Sequence, residues 1–356
     1  MTLRDDLLRA AGRVRRRRPE TARRVGRYLR AAAVPAGGFP NRAGQADLYY
    51  TVFGLQALAA VEPKAFAPAR DERLPFEPAA SSRVQPARAK PTAQPREHAG
   101  TSDGQVDVIR QTRAYLATFG TGDDLDFVHL CCLARCRALV ETGARHLSQN
   151  DHRCLAPLGP APFSRAAAAR LATFRAADGG FSHVPGAARG TAYGAFLAVG
   201  AHEDLGVPLP GADALLQALA GLRSRDGGYA NAPGADAGSV PAASAALVTL
   251  TDLGAAPDPS AIDWLLGQRR PEDGWPAAAG APAADLLSTA TALHALAAAG
   301  AALDAVRQPC LTFVETLAVD DAGPPGQMRF RGHPDDQAAD CEYTFYGLLA
   351  MGHLLG

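Results

Sequence analysis

The sequence predicts an all-α fold, an (α/α)6 toroid in which six helical hairpins surround a central cavity. A glycine-rich turn recurs at intervals of 48, 47 and 48 residues, at Asp178-Gly-Gly-Phe, Asp226-Gly-Gly-Tyr, Asp273-Gly-Trp and Asp321-Ala-Gly. An amphipathic stretch precedes each turn, and a more apolar helical stretch follows it. The last of these, residues 343–355, is strongly apolar, whereas the end of an open solenoid would be polar. A closed ring of hairpins leaves no such end exposed.

Each repeat is predicted to contain an outer helix, a glycine-rich turn and an inner helix, because glycine reaches the positive φ angles that close such turns. Two weaker copies precede the four clear ones, with their turns at Gly37-Gly-Phe and Gly120-Thr-Gly. The predicted outer helices are residues 21–33, 105–119, 166–174, 212–222, 261–266 and 310–317. The predicted inner helices are residues 48–61, 126–139, 191–200, 239–253, 286–299 and 343–355.

One segment does not follow the repeat. Residues 62–100 contain seven prolines, both lysines of the chain and many charges, without helical periodicity. We therefore expect a single toroid domain, residues 1–356, with a flexible loop inserted between the first two hairpins. A lid over the mouth of the cavity is the functional alternative for this loop.

Composition and charge exclude several classes of function. The 356 residues include 36 basic and 36 acidic side chains, which argues against a surface built to bind nucleic acid or an anionic membrane. No stretch approaches the roughly 18 consecutive apolar residues of a transmembrane segment, and the first residues carry acids where a signal peptide is basic. Six cysteines are too few for a disulfide scaffold of this length. We therefore expect a cytoplasmic protein with reduced thiols.

The starts of the predicted inner helices hold the candidate functional residues. Four of the six begin with Asp, and capping the helix is the expected role of Asp47 and Asp285. The last helix begins Asp340-Cys-Glu-Tyr, and a cap does not need the second carboxylate of Glu342. Clustered carboxylates at a cavity rim serve as metal ligands or as a proton-sharing acid pair. A solvated acidic rim is the alternative.

Two stretches resemble the prenyltransferase β-subunit and squalene-cyclase repeat superfamily: Gln268-Arg-Arg-Pro-Glu-Asp-Gly-Trp and Gly37-Gly-Phe-Pro-Asn-Arg-Ala-Gly-Gln-Ala-Asp-Leu-Tyr-Tyr-Thr. With the repeated turns, the resemblance covers nearly the whole chain outside residues 62–100. The length is similar to that of the one-toroid protein prenyltransferase β-subunits. The resemblance implies an isoprenoid diphosphate held in an apolar cavity, transfer of its prenyl group, and a partner subunit.

The resemblance also implies a metal site. Protein prenyltransferases bind zinc through an Asp-x-Cys-Tyr motif and an Asp-x-x-His motif at the starts of neighbouring inner helices. In one register, Glu342 occupies the cysteine position and Tyr50 the histidine position. In a rotated register, Tyr49 occupies the cysteine position and His129 the histidine position. Because Glu is a harder ligand than Cys, this change favours magnesium or no metal over zinc. The candidate ligands are Asp340, Glu342, Cys341, Asp47 and His129.

The remaining candidates would bind substrate. Arg329 and Arg331 precede Asp340 and could hold a diphosphate through paired hydrogen bonds. Aromatic residues of the inner helices would line the cavity and stabilise an allylic cation, together with Asp126 at the rim. These aromatic residues are Tyr49, Tyr50, Tyr193, Tyr343 and Tyr346.

We expect Asp340, Glu342 and Tyr343 to be the catalytic residues, at the rim formed by inner helices six, one and two. The main alternative is a non-catalytic isoprenoid-binding or interaction toroid with an eroded metal site. A terpene cyclase-like protein is a further alternative.

Overall fold

A computed structural model describes residues 2–66, 107–142, 161–271, 273–320 and 326–356. In these ranges the chain forms thirteen α-helices and five short strands. The first helix is α1 (Leu3–Arg17). The outer helices are α2 (Pro19–Ala32), α4 (Val108–Ala117), α6 (Pro162–Ala172), α8 (Ala212–Ala220), α10 (Pro259–Gly267) and α12 (Asp304–Thr316). The inner helices are α3 (Leu48–Val61), α5 (Phe127–Thr142), α7 (Ala192–Leu205), α9 (Val240–Asp252), α11 (Leu286–Ala298) and α13 (Cys341–Leu354).

The inner helices form a closed ring. Each one packs against the next along the chain, and α13 packs against α3. The physical reason is visible in α3, which is apolar on nearly all sides and has only Tyr49 and Tyr50 less than fully buried. Such a helix is stable only when it is surrounded by other elements. Outer helices such as α2 bury one face alone. The predicted toroid is therefore confirmed.

Two of the repeated glycine-rich turns share one hydrogen-bonding pattern. In the third hairpin, Asp178 Oδ1 accepts from the backbone N–H of Gly180 at 2.9 Å and of Gly190 at 3.1 Å. Gly179 between them has φ +90°, which other residues rarely adopt. Asp226 makes the same pair of contacts one repeat later. In these two repeats, the aspartate thus joins the turn after the outer helix to the start of the next inner helix.

Two short antiparallel sheets lie at the starts of α3 and α13. Strands β1 (Phe39–Pro40) and β2 (Ala46–Asp47) pair Phe39 with Asp47. Strands β3 (Ala318–Val319), β4 (Arg329–Arg331) and β5 (Ala339–Asp340) form a three-stranded sheet that pairs Phe330 with Asp340. The sequence did not predict these strands, and they fix the positions of two of the candidate aspartates.

Helix α1 was not predicted either, and it closes one end of the ring. It packs against α13, α3 and α7. The backbone N–H of Leu3 donates to Glu203 Oε2 at 2.8 Å, at the end of α7. Arg13 donates to the carbonyl oxygen of Gly352, at the end of α13. Helix α1 therefore covers the C-terminal ends of α3, α7 and α13, and we call this end of the ring the floor and the opposite end the mouth.

The start of the predicted inserted loop belongs to the packed structure. Residues Pro63–Phe66 form a short 3₁₀ helix, and Phe66 is buried. Glu62 forms an ion pair with Arg30 of α2. The predicted loop boundary is therefore at least five residues too early, because residues 62–66 pack on the ring. Residues 67–100 and the turn at Asp321 lie outside the described residues. No helix of the described chain is both long enough and apolar enough to cross a membrane.

Candidate functional site

Side-chain caps begin all six inner helices. Asp47 Oδ1 accepts from the backbone N–H of Tyr50 at 3.1 Å, and Asp340 Oδ1 from that of Tyr343 at 3.0 Å. The other four caps are Asp126, Thr191, Ser239 and Asp285. The capping role predicted for Asp47 and Asp285 is confirmed, and the same role applies to the candidates Asp340 and Asp126. Each carboxylate stabilises the positive end of a helix.

A central cavity of about 300 Å³ extends from the mouth to the floor of the ring. Its wall includes three of the five predicted aromatic residues, Tyr49, Tyr193 and Tyr346. It also includes aromatic residues that the sequence did not single out, Phe53, Phe196 and Phe345. Tyr50 and Tyr343 are not part of the wall that the described residues form.

Aromatic rings of α3 and α13 cluster on one side of the cavity. The ring of Phe53 lies 5.0 Å from that of Tyr49 and 5.3 Å from that of Tyr346, measured between centroids, in edge and tilted arrangements. Across the ring, α9 presents the small side chains of Ala242 and Ala245. The cavity exists because these small residues face the aromatic cluster and do not fill the space in front of it.

The rim of the mouth, at the starts of α13 and α3, is acidic. The Arg42 guanidinium binds two carboxylates there, Asp336 at 2.8 Å and Asp340 at 3.0 Å. It also lies over the ring of Tyr343, 5.6 Å from the ring centroid. Asp340 thus has two partners, the N–H groups of its own helix and Arg42.

Glu342 is a buried carboxyl beside the aromatic cluster. It is 7% exposed, and its Oε1 accepts a hydrogen bond from the Tyr49 hydroxyl at 2.7 Å. Burial raises the pKa of Glu342, and this effect outweighs the hydrogen bond from Tyr49, which lowers it; the neighbouring Asp340 carboxylate also raises it. Burial also raises the pKa of Tyr49, so the hydroxyl keeps its proton and donates. Glu342 can therefore hold a proton above the ordinary pH range of a carboxyl.

The donors at the rim do not fit a zinc site. The Cys341 thiol is 2% exposed and donates to the carbonyl oxygen of Tyr50 at 3.2 Å. Burial raises its pKa well above the usual value, whereas metals bind the thiolate. His129 Nδ1 lies 2.8 Å from Asp126 Oδ2 in its own helix. Within the described residues, no three side chains of His, Cys, Asp or Glu converge as metal ligands, so the five candidates are not brought together.

The two arginines proposed for a diphosphate lie away from the cavity. Arg329 and Arg331 flank Phe330 on β4, and Phe330 is buried against α13. Arg331 donates to the carbonyl oxygen of Thr316 at the end of α12. Arg329 lies over the ring of Tyr28 on α2, 5.7 Å from its centroid. Both side chains therefore face the outer layer of helices.

A cluster of polar side chains lies at the floor of the cavity, and the sequence analysis did not predict it. Arg135 forms an ion pair with Asp204 and donates from Nη1 to Gln56 Oε1 at 3.0 Å. Asp204 also binds Arg4 of α1 at 2.9 Å. The sequence did carry a signal for this group, because Gln56 is the only amide side chain in the apolar stretch of α3.

The family model of the prenyltransferase alpha-alpha toroid domain matches residues 18–95, 165–276 and 243–355. Comparison with curated protein sequences gives no match. The matched ranges cover more than half of the chain and include α3, α13 and the hairpins between α6 and α11. The closed ring of inner helices and this match lead to one conclusion: the chain belongs to the prenyltransferase alpha-alpha toroid family.

Proposed function

We propose that the protein binds one isoprenoid chain in its central cavity. The observation that supports this most strongly is the wall of the cavity, where the aromatic cluster of Tyr49, Phe53 and Tyr346 faces small residues of α9. Aromatic faces and edges pack well against branched hydrocarbon. A cavity of about 300 Å³ is at the lower end of small-molecule sites. Membership of the toroid family agrees with an isoprenoid ligand.

The charges at the mouth favour binding over metal-dependent prenyl transfer. Arg42 is already held by Asp336 and Asp340, and Glu342 lies beside them. A diphosphate at the mouth would have to separate Arg42 from both carboxylates. We therefore test the diphosphate expected from the resemblance as a second ligand, beside the alcohol. The partner subunit also stays a prediction, to be tested by co-purification.

The test is a calorimetric titration with farnesol and with farnesyl diphosphate. Ala245→Phe places a ring in the cavity, whereas Ala169→Phe places one on the exposed side of α6. We expect saturable binding with one site per chain, at least tenfold weaker for Ala245→Phe and unchanged for Ala169→Phe. Absence of binding to the unmodified protein, or equal binding by Ala245→Phe, would refute the proposal.

A second candidate function rests on Glu342. Glu342 is not part of the cavity wall, but it is hydrogen-bonded to the wall residue Tyr49, and burial raises its pKa. In its protonated form, such a carboxyl would protonate a carbon–carbon double bond of an isoprenoid that reached it, which leaves a tertiary carbocation. The rings of Phe53 and Tyr346 lie in the cavity wall and would stabilise that cation. Loss of a different proton would then give an isomerised or cyclised product. This is the terpene cyclase-like alternative.

Deuterium incorporation tests this second function. In D₂O, the isomerised or cyclised products formed from geranylgeraniol should carry carbon-bound deuterium if Glu342 transfers its proton. Glu342→Gln should abolish incorporation, because the amide can still accept from Tyr49 but has no acidic proton. Equal incorporation by both proteins, or none by the unmodified protein, would rule this function out.

A further inference from the structure

One face of α3 runs from the mouth of the cavity to its floor. Tyr49, Phe53 and Gln56 follow one another at helical spacing, and all three are part of the cavity wall. The wall therefore changes from aromatic to polar with depth. At the bottom, Leu7 of α1 closes the cavity beside Arg135 and Asp204.

The two ends of the cavity differ in their balance of charge. At the rim, one guanidinium, Arg42, is shared by two carboxylates. At the floor, the cavity wall holds one guanidinium, Arg135, and one carboxylate, Asp204, which also binds Arg4 from outside the wall. Negative charge on a ligand is therefore better matched at the floor than at the rim.

Four further carboxylates lie near the floor but are not part of the cavity wall: Asp5, Asp6, Glu203 and Asp252. Asp5 approaches Arg4 to 3.9 Å from the same helix. Glu203 accepts from the backbone N–H of Leu3, and burial raises its pKa to about 7, so it carries only part of a negative charge at neutral pH. None of these four carboxylates gives the cavity wall a second acidic group.

Two donor groups at the floor have no partner within the described parts of the chain. A guanidinium has only donors, so Gln56 must turn its oxygen towards Arg135 and its NH₂ group away from it. That NH₂ group makes no hydrogen bond with a described residue, although Gln56 is only 2% exposed. Arg135 Nη2 is also without a hydrogen bond to the described chain. Both side chains are part of the cavity wall, so a ligand in the cavity can supply the acceptors that these two donor groups lack.

We propose that the ligand enters the cavity head first and is a carboxylic acid with an isoprenoid tail. Its carboxylate oxygens bind Gln56 and Arg135 at the floor, and its hydrocarbon tail lies between the aromatic cluster and α9. A carboxylate matches the planar fork of a guanidinium better than a hydroxyl does. This inference rests on the proposed function, because it orients the same chain in the same cavity.

The test compares three ligands that have the same isoprenoid hydrocarbon chain: farnesoic acid, farnesol and the hydrocarbon farnesene. Gln56→Met keeps the length of the side chain and removes the amide donors. Gln111→Met makes the same change on α4, away from the cavity wall. We expect the unmodified protein to bind the acid at least tenfold more tightly than farnesene. Gln56→Met should bind the acid at least fivefold more weakly and bind farnesene with unchanged affinity. Gln111→Met should bind both ligands with unchanged affinity.

A second measurement reports on the carboxylate directly. The ¹³C-carboxyl resonance of labelled farnesoic acid should show a lower pKa when bound than when free, because a neighbouring guanidinium favours the ionised form. Equal affinity for acid and hydrocarbon, or an unshifted carboxyl pKa, would overturn the head-first orientation and leave the isoprenoid site intact. If none of the three ligands binds, the proposed function fails as well.

Discussion

At the scale of single residues, carboxylates at the two ends of the ring are used in different ways. Asp340 caps α13 and binds Arg42, so both of its contacts stabilise the folded structure at the mouth. Asp204 binds Arg4 and Arg135, so it joins α1 and α5 to the end of α7. Glu203, the preceding residue, accepts a hydrogen bond from the backbone N–H of Leu3. Its pKa is raised to about 7, chiefly by burial.

Glu203 makes stability depend on pH. Its pKa in the folded state is about 7, against an ordinary value of 4.5, so the folded protein binds this proton more tightly than the unfolded chain. The contribution of Glu203 to the free energy of unfolding should therefore fall as the pH rises from about 4.5 through 7. Glu203→Gln should remove this contribution and be more stable than the unmodified protein at pH 8 by about 1–2 kcal/mol, a value reduced for solvent screening of a half-buried group.

Urea unfolding at pH 5 and pH 8 measures this effect. The matched control is Glu315→Gln on α12, where the carboxylate is half exposed and should give the same difference at both pH values. A stability difference for Glu203→Gln that does not change with pH would contradict the assignment.

At the scale of elements, the sequence predicted the hairpins but not α1. The hairpins repeat, and the repeated aspartate–glycine turns have a common hydrogen-bonding cause. Helix α1 has no counterpart in the other repeats, so periodicity could not reveal it. Its own signals are a capping box formed by Thr2 and Asp5 and a buried face that includes Leu7.

The docking of α1 depends on a glycine of α13. A Cβ atom at Gly352 would overlap the carbonyl oxygen of Ala10, whereas a Cβ atom at Gly267, the last residue of α10, would meet open space. Gly352→Ala should therefore destabilise the protein by about 1–3 kcal/mol. Gly267→Ala should be neutral or stabilise it by up to about 1 kcal/mol, because alanine is the better helix former.

Chemical denaturation of the two glycine variants provides the measurement. Equal free energies of unfolding for both would show that α1 does not pack on α13 as described. A loss for Gly352→Ala together with weaker isoprenoid binding would show that the floor of the cavity depends on α1.

At the scale of the whole molecule, the sequence predicted the closed ring but not which of the candidate side chains face the cavity. Tyr49 and Tyr50 are neighbours on a helix, about 100° apart, so only one of them can face the cavity. Arg329 and Arg331 alternate with buried Phe330 on a strand, which turns both arginines away from the side that Phe330 occupies. The polar floor depends on α1, which the repeats did not reveal.

The central claim is that the closed ring encloses a single isoprenoid site. The most direct test is anomalous diffraction from crystals grown with a bromine-labelled isoprenoid. We predict one bromine peak per chain inside the ring, between the aromatic cluster at Phe53 and Tyr346 and the small residues of α9 at Ala245. A peak on the outer surface, or an empty cavity at saturating ligand, would contradict the claim.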